Sequence, residues 1–239
     1  ALRQAVQATP PGAAPPAIAA DDEPDWPLAA PSRTDGSTIA LVVAPVRALR
    51  HAGSGATVWQ VPPATTWSGQ PMTLLVLEAV LRDGRRWLRV RLPIRPSGTI
   101  GWIPADAVLL GRTRFWIDVD TRRRTVTVSR LGRPLRRFRA VVGAPRTPTP
   151  RGLTAIYERN PQRDRRGFLG PWAIALAATS NVLQEFDGGP GRIGIHGRGG
   201  ASLRDPLGSA RSHGCVRIDN AAIGWIARNV PAGAPVLIG

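Results

Sequence analysis

The chain of 239 residues carries one cysteine and three histidines, and two of those histidines stand shortly before the cysteine. The segment reads Ile195-His196-Gly197-Arg198-Gly199, then Ser212-His213-Gly214-Cys215-Val216-Arg217. A thiolate, not a thiol, attacks a carbonyl carbon, and a free cysteine has a pKa of ~8.5. A histidine within hydrogen-bond reach removes the proton and later returns it to a leaving amine. Glycines beside the nucleophile let backbone N–H groups approach the developing oxyanion, worth roughly 3–4 kcal/mol per donor in other acyl-transfer enzymes. Arg217 adds a planar, permanently charged fork suited to a carboxylate. Together these residue types describe acyl transfer by a cysteine nucleophile. Two other readings of the same residues stay open. One is a buried, inert cysteine; the other is a zinc site made by two histidines and the thiol with an open position. For the latter, Asp205 and Asp219 are the acids at hand to serve as base.

The elements around these residues read as β structure. If Ser212–Ile218 is extended, His213, Cys215 and Arg217 share one face while Val216 and Ile218 turn to the core. Arg192–His196 reads as a strand end with Ile193 and Ile195 inward, and His196 stands where it yields to a glycine-rich loop. Upstream, Phe115–Val119, Thr125–Ser129 and Leu135–Val142 make a three-stranded meander. The polar, glycine-punctuated Asn160–Pro171 reads as a long loop. One helix is predicted over Ala221–Arg228 with Asp219 as N-cap, then a last strand at Val236–Ile238.

The front of the chain is organised differently. Residues 1–37 are rich in Ala and Pro, show no structural period, and read as a tail or linker in which Trp26 could dock on a neighbour. Residues 38–110 form a run of short strands. Met72–Leu81 and Arg86–Leu92, joined through Arg82-Asp83-Gly84, make a hairpin with one buried face. Trp87 and Trp102 are expected in its core, while Trp59 and Trp67 could line a groove; His51 falls in a Gly/Ser-rich loop. This front block carries no catalytic set and is expected to be separable from the chemistry.

All 32 basic residues are arginine, against 16 acidic ones, for a net charge of +16. Such a balance favours an anionic surface or polymer. No helix-turn-helix, RNA-binding or zinc-finger pattern accompanies it, so nucleic acid is not an expected partner. No run approaches the ~20 apolar residues of a membrane span, and the start, ALRQAVQATPPG, shows no secretory signal peptide. With one cysteine, no intramolecular disulfide can form.

The pair His196-Gly197 and Ser212-His213-Gly214-Cys215-Val216-Arg217 resembles the signature of the YkuD-type L,D-transpeptidase family. WIDVDTRRRTVTVSRLGRPLRRFRAVVG and TPTPRG are similar to the family's opening strands and proline-rich turn. VRALR, VLEAVLRDGRRWLRVRLP and GTIGWIPADAVLL resemble bacterial SH3-like domains. The resemblance implies a mainly β fold: a small SH3-like barrel over 38–110, then a YkuD-like β-sandwich over 111–239 with one packed C-terminal helix. It implies Cys215 as nucleophile and His196, oriented by the Gly197 carbonyl, as proton donor and acceptor. It also implies a supporting or oxyanion set of Ser212, His213, Gly214 and Gly197, with Arg217 contacting substrate and neither metal nor other cofactor. The partners are peptidoglycan stem peptides, with anionic cell-wall polymers as a further candidate, in an extracytoplasmic, secreted setting. The implied reaction releases a terminal D-Ala from a tetrapeptide stem through a thioester and forms a 3→3 cross-link. Water as acceptor would make an L,D-carboxypeptidase instead, and a non-catalytic wall-binding protein is the rival from another class. The loop GRGGASLRDPLGSAR, arginine-rich and carrying Pro206, departs from the family pattern and bears on the acceptor.

Overall fold

Alternating apolar residues and tight glycine turns build the chain almost entirely from strands, as the computed structural model shows for the described residues 28–185 and 190–239. The proposed tail and Trp26 lie mainly or wholly outside them, although Leu28 is buried against the front core. Seven strands come first: β1 (Ser37–Val42), β2 (Val46–His51), β3 (Ser54–Val61), β4 (Thr73–Arg82), β5 (Arg85–Arg91), β6 (Ile100–Pro104) and β7 (Val108–Thr113). They form one sheet in the order β3-β2-β6-β5-β4-β1-β7. The β4–β5 hairpin turns on Asp83 and Gly84, both at positive φ, the two-residue geometry that matches strand twist. Trp87 is buried, Trp102 half-buried, and Trp59 packs against the same core. The β2–β3 hairpin is absent from the expectation, and His51 ends a strand instead of lying in a loop. Exposure along most of β3 leaves no alternation in its sequence to read.

The rest of the chain contributes β8 (Phe115–Asp120), β9 (Thr125–Arg130), β10 (Arg133–Arg139), β11 (Val142–Gly143), β12 (Gly152–Pro161), β13 (Trp172–Thr179), β14 (Arg192–His196), β15 (Ala210–Ser212), β16 (Val216–Arg217), the helix α1 (Asn220–Asn229) and β17 (Pro235–Ile238). Eight of these strands form a second sheet, β10-β9-β8-β17-β12-β13-β14-β16, and β11 pairs with β15 beside it. The predicted meander and helix are present. Asp219 caps α1 through its side chain, 2.8 Å from the Ala221 N–H, and Ile223 and Ile226 pack into the core with Ile156, Ile174, Ile195 and Ile218. The fold is mainly β with a single helix among the described residues, as expected.

The two sheets share more than a linker. Tyr157 and Ala175, from β12 and β13, belong to the front sheet's core. The fully buried Glu158 carboxylate accepts from Thr65 Oγ1 at 2.9 Å, Ser68 Oγ at 2.5 Å, the Trp67 N–H at 3.1 Å and the Ser68 N–H. Tyr157 Oη meets Thr66, and Arg95 donates to the carbonyls of Ser180, Leu183, Gln184 and Pro190. A buried carboxylate is tolerable only when such donors replace water. This packing forms the interface on which the front block's separability from the chemistry depends. A chain begun near Gly111 is expected to melt ~5–10 °C below the full chain, the scale of losing a few kcal/mol in a domain of this size. Calorimetry of the two forms checks it.

Candidate active site

The site lies at one edge of the second sheet, where β14 and β16 run parallel with Ile195 opposite Val216 and His196 opposite Arg217. Alternation sends Ile193, Ile195, Val216 and Ile218 into the core, all at most 1% exposed. His196, Arg217 and the residue before Val216, Cys215, therefore share the opposite face. Gly194, between Ile193 and Ile195, is close-packed on β13: a Cβ there would lie 3.0 Å from the Ile174 carbonyl oxygen.

Nδ1 of His196 lies 2.8 Å from the Gly197 carbonyl oxygen. A carbonyl only accepts, so Nδ1 carries the hydrogen and the neutral ring presents a lone pair at Nε2. His196 is buried, and burial holds its pKa down to about 4; the Gly197 bond opposes this and the Arg217 charge adds to it. Cys215 keeps some solvent exposure at its surface, yet the sulphur is desolvated enough that burial pushes the thiol up. A hydrogen bond from Gly194 and the Arg217 charge pull it partly back. Both shifts favour the neutral forms. At rest the pair is thiol and imidazole.

The expected continuous strand through Ser212–Ile218 is broken. Strand β15 ends at Ser212, and Gly214 turns the chain at φ +120° before β16 begins. Ser212 Oγ accepts from the Gly214 N–H at 3.1 Å and donates to the Cys215 carbonyl at 2.5 Å, so the hydroxyl closes the turn that carries the thiol. The proline-rich turn supports it from outside: Thr149 Oγ1 donates to the Gly214 carbonyl at 2.9 Å and Thr147 Oγ1 to that of Ser212 at 3.1 Å. His213 is exposed. Of the N–H groups expected near an oxyanion, that of Gly214 is engaged by Ser212, and that of Gly197 by the Trp172 carbonyl at 3.1 Å.

Gly214 has a second constraint. A Cβ there would sit 2.9 Å from Ile193 Cδ1, and its backbone conformation is one that side chains rarely adopt. Gly214→Ala is expected to lower the rate of any reaction at Cys215 by ~10²-fold, the scale of a misplacement of about 1 Å. Alkylation kinetics of the single thiol read it directly.

Arg217, expected to contact substrate, is 3% exposed; Nη1 pairs with Asp205 at 2.5 Å, and the guanidinium stacks 4.8 Å from the Phe168 ring. Phe168 also lies 5.9 Å from the His196 ring and so bridges base and cation. Sequence reasoning missed it, because it sits in the segment read as a polar loop. Asn220 was missed as well. Its Oδ1 accepts from the Arg198 N–H at 2.7 Å and its Nδ2 donates to the Arg198 carbonyl at 2.9 Å, pinning the loop after His196. A polar residue at the first turn of a helix gave no sign of that partner. The two acids near the motif have structural tasks, Asp205 on Arg217 and Asp219 on the helix cap.

A mainly β domain here brings cysteine, histidine and arginine to one sheet edge, and its family match supports an acyltransferase-type enzyme. The model of the YkuD L,D-transpeptidase catalytic domain matches residues 114–238, and the chain belongs to that family. Members of it act on the peptides of peptidoglycan, which places the chain among cell-wall enzymes. Among solved structures the chain is similar to an L,D-transpeptidase from Mycobacterium smegmatis (18% identity, 64% of this chain and 90% of that one, TM-score 0.41). It is also similar to one from Mycobacterium tuberculosis (16%, 70% and 90%, 0.45) and to Bd1075 of Bdellovibrio bacteriovorus (27%, 53% and 48%, 0.40). No curated protein matches. Among the described residues no helix is long and apolar enough to cross a membrane.

Proposed function

We propose that the chain is an L,D-transpeptidase that works through a Cys215 thioester on tetrapeptide stems. The observation that supports this reading is the parallel register of β14 and β16, which sets His196 beside Arg217, with the Cys215 thiol against the Arg192 carbonyl of the same strand. In the proposed first step Sγ attacks the carbonyl of the third stem residue while its proton passes to Nε2 of His196. The tetrahedral intermediate collapses as His196 returns the proton to the departing amine of D-Ala. An amine of a second stem then attacks the thioester, His196 takes its proton and returns it to Sγ as the C–S bond breaks, and the 3→3 cross-link is released from the restored thiol. Arg217 acts on this chemistry through its charge and through Phe168, from a buried position. Ser212, Gly214 and His213 shape the turn that holds the nucleophile, and Gly197 sets the tautomer of the base.

The front sheet, similar in sequence to SH3-like modules, is proposed to bring the enzyme to the wall. Anionic wall polymers suit the net charge of +16. Incubation with a disaccharide-tetrapeptide, followed by mass spectrometry of protein and products, tests the whole reading. Loss of D-Ala with a cross-linked dimer is the expected result. Loss of D-Ala with a free tripeptide would mean a carboxypeptidase, and an inert protein would mean a wall-binding role.

A further inference from the structure

Arg192 opens β14, the strand that ends at His196. Alternation puts Ile193 and Ile195 inward and Arg192, Gly194 and His196 on the face that bears Cys215. Its carbonyl accepts from the Cys215 thiol, with Sγ at 3.8 Å. Its guanidinium is held on four sides. It lies 4.8 Å from the Tyr157 ring and 5.5 Å from the Trp67 ring, and it donates through Nη1 to the Leu176 carbonyl at 3.0 Å and through Nη2 to the Pro93 carbonyl at 2.7 Å.

Two of these anchors, Trp67 and Pro93, belong to the front block; the other two belong to the second sheet. The Trp67 loop is itself fastened, because the buried Glu158 accepts from the N–H groups of Trp67 and Ser68. Acyl transfer as proposed above needs no arginine at position 192, and a side chain whose Nη1 and Nη2 both donate to carbonyls makes a poor substrate fork. A guanidinium clamped between two rings and two carbonyls does fix the backbone that carries it. That backbone holds the thiol on one side and, four residues on, reaches His196.

We infer that Arg192 is a positioning residue through which the front block holds the Cys215 thiol in register with His196. Its catalytic consequence rests on Cys215 being the nucleophile; the positioning itself does not.

The test uses the full chain with Trp67→Ala, Trp67→Tyr, Arg192→Met and wild type. Two readouts are taken: the pH dependence of Cys215 alkylation by iodoacetamide, and the maximal rate and half-saturating concentration of acylation by a carbapenem. Trp67 is half exposed, so its substitution spares the core. Trp67→Ala and Arg192→Met are expected to shift the alkylation midpoint and cut the maximal acylation rate by ~10–100-fold, with half-saturation little changed. Trp67→Tyr, which keeps a ring for the guanidinium, restores most of the rate. Folded variants that keep the wild-type midpoint and a maximal rate within about twofold overturn the inference. So does a loss confined to half-saturation, or one that Trp67→Tyr leaves unrestored, since either means that Trp67 touches the acyl donor directly. If Arg192→Met fails to fold, the two Trp67 variants decide alone. If wild type is alkylated but never acylated, the nucleophile reading fails, and the alkylation profiles still decide the positioning.

Discussion

Cys215→Ala is expected to abolish both acyl-enzyme formation and turnover while the protein keeps its fold. The substitution removes one sulphur from a partly exposed position and breaks one weak hydrogen bond to Arg192, so the melting temperature is expected to move by no more than about 2–4 °C, the scale of ~1 kcal/mol in a chain of this size. The chain has no other thiol. A carbapenem should therefore add one covalent equivalent to wild type and none to the variant, as read by intact-protein mass spectrometry. Measurable transfer by a well-folded Cys215→Ala protein would sink the mechanism. The same preparations address zinc: stoichiometric metal in wild type that is lost on Cys215→Ser would favour the metal reading over the nucleophile.

His196→Gln carries the second large effect. Acylation should slow by the ~10²–10⁴-fold typical of losing general acid–base help. His213→Ala, at an exposed site outside both strands, should cost far less; the reverse order would invert the assignment of the two histidines. The pH dependence follows from the shift at His196. Only the neutral ring can take the thiol proton, and burial lowers its pKa to about 4. The rate of acylation is therefore expected to hold from neutral pH down to about pH 5 and to fall only as pH drops through about 4. An imidazole with an ordinary value of 6.5 would fail about 2.5 units earlier, and stopped-flow acylation from about pH 3.5 to about pH 8 separates the two. Stability moves the same way. The unfolded chain protonates His196 near its ordinary value of 6.5 and the folded chain near 4, so the unfolded state binds more protons between those values. This group's contribution is complete above pH 6.5 and is lost progressively as pH falls toward 4. Thermal melts should show a steeper acid decline for wild type than for His196→Gln.

What was legible in the sequence was whatever repeats with a period or depends on near neighbours. Alternating Ile193/Ile195 and Val216/Ile218 announce two strands with one buried face, and Asp219 before an apolar stripe announces a capped helix; all three were readable without coordinates. So were the chemical types at His196, Cys215 and Arg217, because a lone thiol among glycines and histidines has few other uses. The turn at Gly214 was not readable, since an extended reading of Ser212–Ile218 satisfied the same alternation; the positive φ at Gly214 and the Ser212 hydroxyl break the strand there.

Partners far apart along the chain belong to tertiary structure alone. Phe168 meets His196 and Arg217, Asn220 pins Arg198, and the Glu158 carboxylate is held by hydrogen bonds from residues about 90 positions away. Arg217 illustrates the division. Its charge beside a nucleophile was evident from composition and spacing, but whether that charge meets solvent, substrate or Asp205 depends on how the loop between the two halves of the motif folds back. It folds back onto Asp205, and the arginine is buried against that carboxylate. The reach of the front sheet to Arg192 has the same origin: neither Trp67 nor Pro93 shows any local pattern that marks it as a support, and only packing one sheet on the other brings them to the strand that carries the site.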